Sequence, residues 1–481
     1  MMKLRATLHG NSSKTAIRFV AAALIFALSS CDPDALFERT VRPFGETDEL
    51  VVLVRNGPTT RFLGADGKYS GIEQDLLEMF AKDTGVRLRI VERTNFSDIL
   101  PSLRKHLAHL AAAGLTATEE RRKDFIFGPA YLSVHTVVAY NTDKPRPKNI
   151  HDLVGKRVGV LAGSSASEQL GLELLAEPRL TWDPVAVTDS IELLDKLADS
   201  EFDFVVTDSN MVELAQNFSP NIGRAFNIGE PETLSWALPK DASPVLIERV
   251  RQFFAHINAN GQLRILLDRY YGHIQRLTQG DVANFLERRS SVLPQYRTAF
   301  EEAQELTGLD WRLLAALGFQ ESHWEPLATS PTGVRGLMML TSETADRLGV
   351  NDRLDPRQNI IAGARYLKML KDTLPERIGE PDRTWFALAS YNLGYGHLED
   401  ARILTQRHGL NADSWVDVKK TLPLLTRSDF YTTIKRGFAR GGEAVILTEN
   451  IRNYYDILVR FEDAYRPLFS SYPENENDVV P

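Results

Sequence analysis

Leu50-Val-Val-Leu-Val54 is the stretch on which the fold of the first half turns. Five apolar residues without polar alternation suit a strand covered on both faces, as in domains where helices flank a sheet. Outward from it, strand and helix alternate. Asp66-Gly67 marks a turn. Ile72, Leu76, Met79 and Phe80 fall at helical spacing, and Val86, Leu88 and Ile90 alternate with Arg87 and Arg89 as a strand does. Further strands are expected at 110–113, 136–140, 158–161 and 202–207, with helical stretches between them. This is the α/β signature. The polar segment Asn141-Thr-Asp-Lys-Pro-Arg-Pro-Lys148 interrupts the series and is read as lying near a hinge or crossover between two lobes. A helix follows over 244–257, with Val245, Ile247, Val250, Phe253, Phe254 and Ile257 largely on one side.

After Tyr270-Tyr-Gly272 the character changes, and from about Gln295 nearly everything has helical periodicity. A chain of 481 residues is long enough for two or three domains. The expected order is a targeting segment over 1–30, a tether over 31–48, an α/β domain over 49–273, a linker over 274–297, a mainly α domain over 298–462 and a polar tail over 463–481.

Lys and Arg number 56 against 64 Asp and Glu, a net charge of −8, which argues against nucleic acid as the main partner. The single cysteine, Cys31, excludes an intramolecular disulfide and a thiolate metal cluster. Its position is informative. Lys3, Arg5, Lys14 and Arg18 precede the apolar run Phe19-Val-Ala-Ala-Ala-Leu-Ile-Phe-Ala-Leu28. Ten helical residues rise only about 15 Å, half a bilayer core, so the run reads as a signal segment. Leu28-Ser-Ser-Cys31 then resembles the bacterial lipobox, which implies lipidation of Cys31 and a cell-envelope protein facing the periplasm. The outer membrane is favoured, while Asp32 resembles the signal that retains some lipoproteins in the inner one. His106 and His109 share i,i+3 spacing but have no third ligand nearby, so no metal is expected there.

In the first domain, Asp66-Gly-Lys-Tyr-Ser-Gly-Ile72, Ala113-Gly-Leu-Thr116-Ala-Thr-Glu-Glu-Arg121, Phe125-Ile-Phe-Gly-Pro-Ala-Tyr131, Lys156-Arg-Val-Gly-Val160, Gly163-Ser164-Ser165 and Phe204-Val-Val-Thr-Asp208 occur in order. Together they resemble the type-3 periplasmic solute-binding proteins, which hold amino acids and similar molecules between two lobes. The resemblance implies that Arg121 and Thr116 hold an α-carboxylate, that Ser164 and Ser165 add donors, and that Asp208 faces an amine. An Arg fork does suit a carboxylate. The ligand would be an amino acid or a muropeptide.

In the second domain, Asp310 is placed to cap a helix that ends at Gln320-Glu321-Ser322. A carboxyl near a helix C-terminus in apolar surroundings has its pKa raised, as a general acid requires. The series Glu321-Ser-His-Trp324, Gly333-Val-Arg-Gly-Leu-Met338-Met339-Leu340, Asp355-Pro-Arg-Gln-Asn359 and Ala389-Ser-Tyr391-Asn392-Leu-Gly394 looks like the lysozyme-like domain of the soluble-lytic-transglycosylase type. Met339 stands where that family usually has glutamine, and Ser390 where it has alanine. With the preceding domain and the lipobox, the chain resembles the membrane-bound lytic murein transglycosylase F group.

That resemblance implies that Glu321 is catalytic and acts on the glycan strands of peptidoglycan. It would protonate the oxygen between N-acetylmuramic acid and N-acetylglucosamine, then take the proton of the muramoyl C6 hydroxyl as that oxygen attacks C1. A 1,6-anhydromuramoyl end would result, with no metal or cofactor. Ser322, Met338, Met339, Tyr391, Asn392 and Tyr454 would bind substrate, although capping for Asn392 and packing for Tyr454 are equally open. A hydrolytic muramidase and a non-enzymatic sensor lipoprotein are the competing expectations.

Overall fold

The computed structural model describes residues 40–64, 67–274 and 276–466. Cys31, the signal segment, residue 66 and the tail from 467 onward lie outside these residues.

Two mixed five-stranded sheets form the first domain. The first has the order β4(Arg87–Glu92)-β1(Glu49–Val54)-β5(Leu110–Ala111)-β12(Ala237–Pro239)-β6(Phe125–Phe127). The second has the order β11(Ile222–Leu234)-β7(Leu132–Asn141)-β10(Phe204–Asp208)-β8(Val158–Leu161)-β9(Asp183–Val185). A short hairpin, β2(Phe62–Leu63) and β3(Tyr69–Ser70), stands apart from both. The apolar run at 50–54 is continuous because β1 is central, with parallel neighbours β4 and β5. Leu50, Val52 and Val54 pack with Leu76 and Phe80 of helix α1 (Ile72–Thr84), while Val51 and Leu53 face Ile99 and Leu103 on the other side.

The lobes are joined elsewhere than expected. The chain crosses at residues 128–131, between β6 and β7, and returns at 235–236, between β11 and β12. Backbone bonds tie the crossings together, Gly128 N–H to the Trp236 carbonyl at 2.9 Å and Tyr131 N–H to that of Leu234 at 3.1 Å. The Pro-containing segment 141–148 follows β7 and lies wholly in the second lobe. The long β7 and β11 pair antiparallel along most of their length, from the crossing outward, which puts 141–148 at the far end of that ladder.

Other boundaries also move. Residues 40–48, expected as tether, are docked: Phe44 is buried edge-on against His109, and Val41 N–H donates to the His106 carbonyl. His106 and His109 follow a short helix, Ile99–Arg104, so they do not share a helical face. His109 is buried and neutral in its bonds, accepting from Val51 N–H at Nδ1 and contacting the Arg42 carbonyl through Nε2. In helix α2 (Pro244–Ala259) Val245 is 54% exposed and Leu246 takes the inward place, because the buried stripe runs Leu246, Val250, Phe253, Phe254, Ile257.

The expected linker contains helix α3 (Gln279–Ser291), opened by a Thr278–Asp281 capping box. Its Val282 and Phe285 are buried in the core of the second domain. That domain is built from α4 (Arg297–Thr307), α5 (Trp311–Ser322), α6 (Pro356–Thr373), α7 (Asp382–Leu393) and α8 (Gly441–Phe461), with shorter helices between them. Helix α4 packs on α6, and α8 packs on both α5 and α7. The two domains meet through polar and apolar contacts, among them Phe218 edge-on to Phe461. The Arg264 guanidinium holds Asp417 at 2.7 and 3.0 Å, and Arg452 of α8 donates to the Asp268 and Arg269 carbonyls at 2.9 and 3.1 Å. Beneath them Glu449 is fully buried. Burial opposes its charge, but Arg452, Lys419 and the Trp415 indole outweigh that and hold its carboxyl below the ordinary range.

Candidate active site and binding cleft

Helix α5 begins at Asp310, whose carboxylate accepts from Arg312 N–H at 2.9 Å as the sequence predicts. It ends abruptly. His323 and Trp324 both have left-handed backbone, at φ 53° and 59°, and the fully buried Trp324 is pinned by its indole N–H to the Ala315 carbonyl at 2.8 Å. Glu321 therefore sits on the last turn. Strained backbone of this kind is tolerated where the surroundings overdetermine it, commonly around functional groups.

Glu321 makes no ion pair or hydrogen bond through its carboxyl among the described residues. Burial alone pushes its pKa up to about 8. The carboxyl is thus largely protonated at neutral pH, and no neighbouring cation or carboxylate contributes to the shift.

The turn at 336–340 braces this end of the helix. The Ser322 hydroxyl donates to the Leu337 carbonyl at 2.7 Å. The Tyr391 hydroxyl, from α7, donates to the Met338 carbonyl at 2.7 Å, and burial, then the nearby Glu321 charge, raises its pKa well above the ordinary value. Met339 takes a left-handed conformation, φ 50°. Met338 lies fully buried, pressed against Gly363, where a Cβ would come within 2.7 Å of it. Met338, expected to bind substrate, therefore has its side chain in the core and offers the site its backbone only.

The residue beneath the turn is Asn359, fully buried on α6. It accepts from Met338 N–H at 2.6 Å and donates to the Arg335 and Arg353 carbonyls at 3.1 and 2.8 Å. Gly336, φ 82°, passes so close that a Cβ would meet the Arg353 carbonyl oxygen at 2.1 Å. The motif contains Asn359 without revealing its role, because its three partners, Arg335, Met338 and Arg353, come from elsewhere in the chain. Asn392 is exposed within α7 and caps nothing, since that helix runs on to Leu393. Tyr454 of α8 packs its ring on Phe285 at 4.6 Å and on Phe319 of α5 at 4.8 Å. Packing accounts for the ring.

In the first domain Thr116, Ser164, Ser165 and Asp208 line one interlobe cavity, together with Arg55, Asn210 and Tyr271. Its volume is about 20 Å³, room for about one water. Burial first, then Glu232, pushes the Asp208 carboxyl up to about 6 against the pull of Arg121, Arg55 and a bond from Thr116.

Arg121 is not on the cavity wall. Its Nε donates to Glu168 at 2.7 Å, Nη1 to the Thr116 carbonyl at 3.1 Å and Nη2 to the Gly163 carbonyl at 2.8 Å. Thr118 donates to the other Glu168 oxygen at 2.6 Å. Gly163 and Glu168 belong to the second lobe, so the fork expected to hold a ligand instead clasps the two lobes together. Composition and spacing gave no sign of this, because Glu168 lies 47 residues away.

Comparison with known proteins follows the same division. Residues 50–273 match the family model for bacterial extracellular solute-binding proteins, family 3, and residues 298–412 match that for the transglycosylase SLT domain. A membrane-bound lytic murein transglycosylase F of Nitrosospira multiformis is 49% identical over 451 residues, covering 94% of this chain and 93% of the relative. That of Methylobacillus flagellatus is 46% identical over 457 residues, covering 94% and 96%. Among solved structures, the P235GK mutant of ArgBP from T. maritima is 25% identical, with a TM-score of 0.42, over 47% of this chain and 96% of that one.

Proposed function

The chain belongs to the membrane-bound lytic murein transglycosylase F family, and from that premise we propose that Glu321 alone performs both proton transfers of its reaction. The protein is a peptidoglycan lytic transglycosylase of the cell envelope, with a solute-binding domain ahead of its catalytic domain. What supports the proposal is the position of Glu321 on the last turn of α5, its carboxyl without a hydrogen-bond or ionic partner among the described residues and its pKa pushed up to about 8 by burial. Such a group still carries a proton at neutral pH and can give it to the leaving glycosidic oxygen. Once ionised in its apolar surroundings, it is a correspondingly strong base for the muramoyl C6 hydroxyl. That hydroxyl attacks C1, the bond to N-acetylglucosamine breaks, and a 1,6-anhydro end forms without water.

Ordinary glycosidases need a second carboxyl across the bond, as nucleophile or as base for water. Among the described residues no second carboxylate perturbs Glu321, and the relatives of this chain are lytic transglycosylases by name, which favours the lyase. Ser322, Asn359 and Tyr391 act as positioning residues, holding the turn at 336–340 against α5. Met339 and Asn392 remain the side chains assigned to substrate, with Tyr454 supporting α5 from behind.

The cleft of the first domain takes a small zwitterion, with Asp208 toward its amine. Cys31 carries the lipid that attaches the protein to a membrane, the outer one favoured. No helix among the described residues is long and apolar enough to cross a membrane. Mass spectrometry of soluble products from purified sacculi tests the chemistry. Anhydromuropeptides are expected, and reducing muramoyl ends without them would move the enzyme to the hydrolases.

A further inference from the structure

Beside Tyr391 stands a second tyrosine that the proton transfers do not use. Tyr366 of α6 brings its ring to 5.2 Å from that of Tyr391, at an angle of 58°. Tyr391 in turn reaches the Met338 carbonyl with its hydroxyl and feels the charge of Glu321. Tyr366 is therefore one ring removed from the catalytic carboxyl. It is half-buried, and over its ring lies the Arg347 guanidinium, 5.8 Å from the centroid. Arg347 ends a short helix, Ser342–Arg347, that leaves the turn at 336–340. One length of chain thus carries the turn that braces Glu321 and an arginine that comes back to the same wall.

The charges that act on Tyr366 are two. Burial raises its hydroxyl, Arg347 pulls it down and Glu343, one turn earlier on the short helix, pushes it up. Arg347 is exposed and makes neither a hydrogen bond nor an ion pair with Glu343 or any other carboxylate among the described residues. Other exposed arginines of this domain do close such pairs, Arg357 with Glu302 and Arg377 with Asp413. A guanidinium laid on an aromatic face has its position set while its N–H edge stays open, which suits a planar carboxylate. Met339, on the adjoining turn, carries no donor in its side chain and cannot meet an acid itself.

The substrate supplies the acid. Muramoyl residues share their ring and N-acetyl group with N-acetylglucosamine but add a lactyl arm, which ends in a carboxylate or continues into a stem peptide with carboxylates of its own. We infer that Arg347, held over Tyr366, binds a carboxylate of the muramoyl arm and so sets which sugar of the strand presents its C1 to Glu321. This deepens the transglycosylase reading proposed above and rests on it.

The test crosses a change in the enzyme with a change in the substrate. Sacculi are used untreated or with their carboxylates converted to neutral amides by carbodiimide and ethanolamine, and initial release of anhydromuropeptides is measured with the full chain. Neutralising the substrate should slow the unaltered chain by a factor at least threefold larger than it slows Arg347→Gln, the scale of an exposed ion pair. The same comparison on strands stripped of their stems by an amidase tells the lactyl carboxylate from those of the peptide. A threefold ratio on either substrate supports the inference. A smaller ratio on both overturns it and leaves the lyase assignment standing, whereas no anhydromuropeptide from the unaltered chain on untreated sacculi would sink the reading on which it rests. Arg347 is exposed at a helix end, so the variant should fold, as circular dichroism will check. Arg347→Ala takes its place under the same threshold if it does not.

Discussion

Glu321→Gln should abolish lysis and at the same time stabilise the protein in alkaline solution. The carboxyl sits at about 8 in the folded chain against an ordinary 4.5. Below pH 4.5 it is neutral in both states, and the substitution exchanges one neutral polar group for another. Between 4.5 and 8 the unfolded chain has released a proton that the folded chain retains, so the native protein loses stability as the pH rises through that window. Above 8 the full cost is reached, with a ceiling of roughly 5 kcal/mol at about 1.4 kcal/mol for each tenfold step in acidity. Water entry and relaxation reduce it, and a gain of at least about 2 kcal/mol is expected for the variant. For a domain of this size that is about 4–8 °C in Tm. The assay is a pair of thermal melts at pH 4 and pH 8.5, run beside anhydromuropeptide release from sacculi. Tm should coincide at pH 4 and separate at pH 8.5, while turnover falls roughly 10²–10⁴-fold, the usual yield of general acid–base catalysis. A Tm difference independent of pH would refute the burial argument, and near-native turnover would refute the assignment of the acid.

Asn359→Ala leaves a buried N–H and two carbonyls unpaired, which should cost roughly 2–4 kcal/mol in urea unfolding and lower turnover as the turn at 336–340 loosens. Unchanged stability and turnover would show that the turn holds itself. A fragment of residues 278–466 should melt well above one of residues 295–465, because the shorter lacks Phe285. Loss of that ring, fully buried between Phe319 and Tyr454, is of the kind that costs about 3–5 kcal/mol. Equal melting temperatures would place α3 outside the domain. Cys31→Ala should move the protein from the membrane to the soluble fraction with lytic activity intact, and full membrane retention in fractionation would end the lipid-anchor proposal.

What the sequence determined by itself was whatever depends on neighbours along the chain. The uninterrupted run at 50–54 fixes a doubly covered strand, Asp310 opens α5, and Asp355-Pro356 opens α6, because periodicity and caps act within a few residues. Glu321 and its motifs were legible for the same reason. The interlobe crossings were not. Two prolines at 141–148 look like a hinge locally, but only the pairing of β7 with β11 shows on which side of the crossing they fall. Nor could the sequence tell that the Arg121 fork is filled, because Glu168 arrives from the other lobe, 47 residues away. Asn359, α3 and Phe44 follow the same rule, each taking its role from partners that the fold brings together across loops. Burial and pairing are properties of the folded surroundings, so the tertiary structure alone decides whether a charged or polar side chain serves the scaffold or is left free for a ligand.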